Sequence, residues 1–204
     1  MGILEPARRR QEAEGLTRRI GVIRTQGAGF SLLEVTLVVT VLLFAMLAMS
    51  RSLGESMQLT EVNRESALAM DAAREMIEVL EGVPEFSDIF LLYNSDPTDD
   101  PGVQGSAPGS GFAVAGLQAP ADDPDGLAGE VLFPTVLNGF GQPRLSEEVD
   151  DPGLGMPRDL DGDGEPTTPD VSDTYRLLPV RILIRWRCST GERVHEVRTL
   201  IADL

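Results

Sequence analysis

Twelve residues from Asp159 to Asp170, Asp-Leu-Asp-Gly-Asp-Gly-Glu-Pro-Thr-Thr-Pro-Asp, place side-chain oxygens at positions one, three, five, nine and twelve, with glycine at six. Calcium takes six to eight oxygen ligands at about 2.3–2.6 Å, and this spacing wraps carboxylates around one centre. The expected ligands are Asp159, Asp161, Asp163, the carbonyl of Glu165, Thr167 and Asp170. Asp170 stands where a bidentate Glu is usual, and its shorter reach weakens that contact. Pro152, Gly155 and Pro157 precede the loop and Pro166 and Pro169 interrupt it, so the expectation is a stand-alone calcium loop without flanking helices. Calcium would order the long acidic loop against the sheet. The competing reading is an acidic, glycine-rich surface turn that binds nothing.

A second residue has chemistry of a different kind. From Phe30 to Ser50 the chain runs 21 residues with one charge, Glu34. A helix of that length covers roughly 30 Å, the hydrocarbon thickness of a bilayer. An acid in a membrane segment costs roughly 2.5–3.5 kcal/mol at the helix centre and less near the interface, so Glu34 needs a partner that offsets it. Arg8, Arg9, Arg10, Arg18, Arg19 and Arg24 precede the run, which places the N-terminus in the cytoplasm and everything beyond Arg51 across the membrane. A cleavable secretory signal fits poorly, because the apolar stretch is too long and no Ala-x-Ala site follows.

Gly29-Phe30-Ser31-Leu32-Leu33-Glu34-Val35 resembles the type III signal of type IV prepilins and type II secretion pseudopilins. The resemblance implies cleavage between Gly29 and Phe30 by a prepilin peptidase and methylation of the new amino group of Phe30. It further implies that Glu34 neutralises the terminal amine of a neighbouring subunit during assembly on an inner-membrane platform. A plain signal anchor with a stray acid is the alternative.

The elements that must carry these groups can be read in order. Residues 1–29 form an Arg-rich leader with charge +3, which leaves −19 on the chain from Phe30 out of a total of −16. So acidic an exported domain is a poor nucleic-acid binder. Residues 30–50 form the membrane and assembly helix, and residues 51–82 its amphipathic continuation. In the latter, Leu53, Met57, Val62, Ala69, Met70, Ala73, Met76, Ile77 and Leu80 recur at steps of three and four, before Gly82 and Pro84 stop the helix. Together they predict one helix of about 50 residues. The stretch Ala72–Leu80 resembles the same region of minor pilins and minor pseudopilins. Major pilins commonly carry a proline where this chain has Arg51, which moves the resemblance toward a minor subunit.

Residues 83–179 hold thirteen of the fourteen prolines, and between Glu85 and Asp173 acids outnumber arginines nineteen to two. This composition predicts loops, relieved by short strands at Phe112–Leu117 and Glu130–Phe133. Asp122, Asp123 and Asp125, and Glu147, Glu148, Asp150 and Asp151, read as solvated acidic runs. Residues 180–204 predict a hairpin. Val180, Ile182, Ile184, Trp186 and Cys188 alternate with Arg181, Leu183, Arg185 and Arg187, and Ser189–Glu192 makes the turn. Val197, Thr199 and Ile201 supply the return strand's inner face, with Val194 out of phase beside an expected bulge. This end of the chain resembles that of minor pilins of the fibre-modification type.

Cys188 is the only cysteine, so no intramolecular disulfide exists, and the expectation is a buried thiol. His195 is the only histidine, and no nucleophile–base pair or phosphate loop occurs, so no enzyme is expected. The fold class expected is α+β and pilin-like: one long N-terminal helix packed on a small antiparallel sheet with long acidic loops. The expected function is a minor pilin or pseudopilin, inserted in the bacterial inner membrane and then assembled with other such subunits. A membrane-anchored, calcium-dependent adhesin is the second class.

Overall fold

A computed structural model describes residues 31–203. The expected cleavage site at Gly29–Phe30 and the methylated amine of Phe30 lie outside the described residues, as does the leader. The fold is α+β. The chain divides into two units, the first ending at Arg51 and the second formed by Ser52–Leu204.

Helix α1 runs unbroken over Leu32–Glu81, 50 residues. No proline interrupts it, and the Thr36, Thr40, Thr60 and Ser66 hydroxyls bond back to carbonyls three or four residues earlier instead of competing with the ladder. Gly82 ends it, its N–H donating to the carbonyls of Glu78 (3.0 Å) and Val79 (3.2 Å). Within the first unit every residue from Ser31 to Arg51 is exposed. Among the described residues, α1 is the one helix long and apolar enough to cross a membrane.

In the second unit α1 buries Ala69, Ala73 and Leu80, with Ala72, Met76 and Ile77 packed beside them. Spacings of four and seven keep these side chains on one face. Leu53, Met57 and Met70, expected on the same face, are more than half exposed. Leu53 and Met57 precede the first buried turn, and Met70 points away from the stripe set by Ala69 and Ala73.

The main sheet is antiparallel, in the order β1 (Gly111–Phe112), β2 (Gly129–Leu132), β5 (Leu177–Cys188), β6 (Gly191–Ala202). Along β5, Leu178, Val180, Ile182, Ile184 and Trp186 are buried, and the intervening arginines reach the opposite face. Arg181 pairs with Asp151 at 3.2 Å and Arg185 with Asp123 at 2.8 Å, so two members of the acidic runs serve the sheet. Trp186 turns its Nε1–H to the Glu65 carboxylate of α1 at 3.1 Å, which fixes the sheet against the lower half of the helix. On β6, Val197, Thr199 and Ile201 face inward as expected. The bulge at Val194 is absent: the β5–β6 register is unbroken from Leu177↔Ala202 to Cys188↔Gly191, and Val194 is simply exposed opposite Arg185. Cys188 is half-buried at the hairpin end, its Sγ 3.0 Å from the Gly191 carbonyl.

The region 83–179 holds more order than its composition suggests. Helix α2 (Asp88–Tyr93) buries Ile89, Phe90 and Tyr93, and a separate hairpin joins β3 (Thr135–Leu137) to β4 (Pro143–Leu145). The expected strand at Phe112–Leu117 reduces to β1, because Leu117 N–H closes a turn on the Val114 carbonyl at 3.2 Å. β1 meets β2 where Gly129 faces the Phe112 ring, and any side chain at 129 would collide with that ring.

Tyr175 ties these elements together. Its hydroxyl donates to the Phe86 carbonyl at 2.7 Å and accepts the Phe90 N–H at 3.2 Å, and burial pushes its pKa up to about 12. Tyr175→Phe leaves both backbone groups without that partner and is expected to cost about 1–3 kcal/mol in chemical denaturation. A change below about 0.5 kcal/mol contradicts this role.

Candidate metal centre

Strand β4 buries Pro143 and Leu145, and the two residues that follow it, Ser146 and Glu147, are both fully buried. Glu147 is thus not part of a solvated run. A carboxylate there needs donors, and the acidic loop supplies them. Glu147 Oε1 accepts the Leu160 N–H at 2.6 Å and the Asp161 N–H at 3.3 Å; Oε2 accepts the Thr168 N–H at 2.9 Å. The Glu147 N–H in turn donates to the Thr168 carbonyl at 3.2 Å. The loop is thus strung around one side chain 13 residues before Leu160.

Inside the loop the aspartates build successive turns. Asp159 Oδ1 accepts from Gly162 N–H (2.6 Å) and Oδ2 from Gly164 N–H (2.9 Å), while Asp161 accepts from Asp163 and Asp163 from Glu165. Gly162 and Gly164 sit at φ 84° and 100°, where side chains are strained. Leu160, between the two leading aspartates, is buried, and its carbonyl accepts the N–H groups of Arg176 and Leu177 as β5 begins.

One oxygen each from Glu147, Asp159 and Asp161 lie within 4.8 Å of one another. Three such oxygens suit a hard divalent cation rather than a soft one. Glu147 has lone pairs to spare, since two carboxylate oxygens offer about four acceptor sites and three are taken. The group can therefore hold a metal ion. Of the six expected ligands, the structure brings Asp159 and Asp161 to this point. Asp163, Glu165, Thr167 and Asp170 are exposed, and the Asp170 carboxylate accepts the Ser172 N–H at 3.1 Å.

Glu147 is the residue that sequence reading missed. No alternation marked it, since Ser146 beside it is buried as well, and the acidic neighbours Glu148, Asp150 and Asp151 made it look solvated. The other charged residue singled out, Glu34, stands in the first turn of α1 and is exposed. A negative charge suits the positive end of a helix dipole. The chain matches no protein-family model, no curated protein and no solved structure.

Proposed function

We propose that this chain is a prepilin-like structural subunit, a minor pilin or minor pseudopilin, held in the bacterial inner membrane by the first half of α1 and then assembled through it. The observation that carries this reading is the set of exposed apolar side chains from Leu32 to Met49, including Leu32 at 83% and Phe44 at 69% exposure, with Glu34 in the first turn. Each large side chain of this kind gains about 1.5–3 kcal/mol on leaving water, so the stretch calls for lipid or partner helices. The motif around Gly29 and Phe30 adds the rest: a prepilin peptidase frees the Phe30 amine, and Glu34 of one subunit meets the amine of the next. The acidic second unit stays in water on the far side of the membrane. The intact mass of the cell-derived polypeptide tests this directly. The expected species begins at Phe30 and carries one added methyl group; a chain beginning upstream and unmethylated overturns the reading.

The Glu147–Asp159–Asp161 group favours a second reading, a calcium-dependent binding module on a pilin-type anchor. Chelation separates the two. Loss of surface attachment with fibre incorporation intact supports the module, whereas loss of incorporation supports the structural subunit.

A further inference from the structure

The loop between α2 and β1 carries a second group of acids, Asp96, Asp99 and Asp100, whose burial is harder to explain than their number. Asn94 organises it: its Oδ1 accepts the Asp96 N–H at 2.6 Å and its Nδ2 donates to Asp99 Oδ2 at 3.0 Å. Asp96 is 7% exposed, and its Oδ1 accepts both the N–H (2.9 Å) and the hydroxyl (2.6 Å) of Thr98. The Asp99 side chain is 13% exposed. Asp100 Oδ2 receives the Ala107 N–H at 3.1 Å, folding the loop back over a cleft of about 340 Å³ lined in part by Asn94, Asp96, Asp100 and Gly105.

Two oxygens are left over. Asp96 Oδ2 and Asp99 Oδ1 are both buried, and neither has a hydrogen-bond partner. Arg144 does not meet this need: its Nη1 lies 3.7 Å from the other oxygen of Asp99, Oδ2, and its Nη2 donates to Gln142. An unpartnered buried carboxylate oxygen costs several kcal/mol of lost hydration. A water molecule can supply a donor, but it adds no charge, and Arg144 brings one positive charge to two buried acids. A cation takes up the lone pairs of both oxygens and supplies the remaining charge.

We propose that Asp96 Oδ2 and Asp99 Oδ1 are ligands of a hard divalent cation, of the calcium class, at a site separate from Glu147, Asp159 and Asp161. The loop offers no histidine or cysteine, which excludes a soft-metal preference. With two protein carboxylates and an adaptable loop, the remaining coordination falls to backbone carbonyls and water, a mixture calcium accepts more readily than magnesium.

Calcium titration of the full chain in detergent micelles, by calorimetry and equilibrium dialysis, tests the site. Asp159→Asn/Asp161→Asn removes two acids of the other group, and this variant is expected still to take up about one calcium per chain. Asp96→Asn/Asp99→Asn is expected to lower uptake by about one calcium relative to the parent chain and to abolish its share of the calcium-induced rise in thermal midpoint. Circular dichroism in EDTA establishes that each variant is folded. A folded Asp159→Asn/Asp161→Asn chain that takes up no calcium overturns the proposal, since ordered water then suffices at Asp96 and Asp99. If that variant does not fold, Asp99→Asn alone decides: uptake equal to the parent overturns the site, and loss of about one calcium supports it.

Discussion

On the proposed prepilin-like reading, replacing Glu34 by alanine is expected to remove the chain from the fibre while leaving it in the membrane. The two effects have opposite signs. Insertion becomes easier, because an acid near the start of the span no longer costs its share of the roughly 2.5–3.5 kcal/mol charged at the centre. On the same reading assembly becomes harder, because a neighbour's proposed Phe30 amine then enters an apolar bundle with no counter-charge. Breaking one partner of a buried pair costs about 3–5 kcal/mol, and about 1.4 kcal/mol corresponds to a factor of ten. Incorporation should therefore fall by roughly a hundredfold or more. Sheared surface fibres and membrane fractions, probed side by side for this chain, give the ratio. A Glu34→Ala chain that assembles at the parent level would remove the reason for the acid.

The second large effect concerns Glu147→Ala. That carboxylate accepts three backbone N–H groups, from Leu160, Asp161 and Thr168, at a fully buried position. Hydrogen bonds to a charged group contribute about 1.5–3 kcal/mol each and are not additive, so the expected loss is about 3–5 kcal/mol. For a chain of this size that lowers the thermal midpoint by roughly 6–20 °C. Near-ultraviolet circular dichroism of the single tryptophan, Trp186, follows the melt. Glu147→Gln is expected to fall between, since its amide nitrogen turns a donor toward one of the loop N–H groups. A shift within about 0.5 kcal/mol would mean that the side chain is solvated and the loop held by something else.

Both expectations start from an acid, yet only one of the two acids was visible beforehand. Glu34 stands out because nothing near it is charged. Glu147 is hidden among charges, and its burial follows from the acidic loop, whose Leu160, Asp161 and Thr168 N–H groups close on its carboxylate. The same contrast runs through the fold. The β5–β6 hairpin was legible, since Val180, Ile182, Ile184 and Trp186 alternate with Arg181, Leu183 and Arg185 and the pattern outlasts that one apolar exception. The strand expected at Phe112–Leu117 was not, because pairing with β2 stops at Phe112 and Gly116, at positive φ, lets Leu117 turn back onto the Val114 carbonyl. In α1, Ala69, Ala73 and Leu80 followed from spacing, but Met70 did not, because a methionine in a helical repeat says nothing about where the sheet ends. The calcium spacing marked Asp159 and Asp161. It had no means of showing that the third oxygen near them comes from Glu147.

Patterns set by neighbours in the chain are decided by the sequence itself. The apolar length of the first half of α1, its lone acid, the helical repeat that continues it and the alternating final hairpin all belong here, since backbone geometry fixes periods of 3.6 and 2 whatever the rest of the molecule does. Contacts between segments far apart in the chain are decided by the tertiary structure. Which acids are buried, which oxygens gather near one point and which single oxygens of Asp96 and Asp99 are left without donors depend on how loops of similar composition are laid against the sheet. Burial and donor geometry are properties of the packed chain, so acidic residues that look alike in one dimension acquire different chemistry in three.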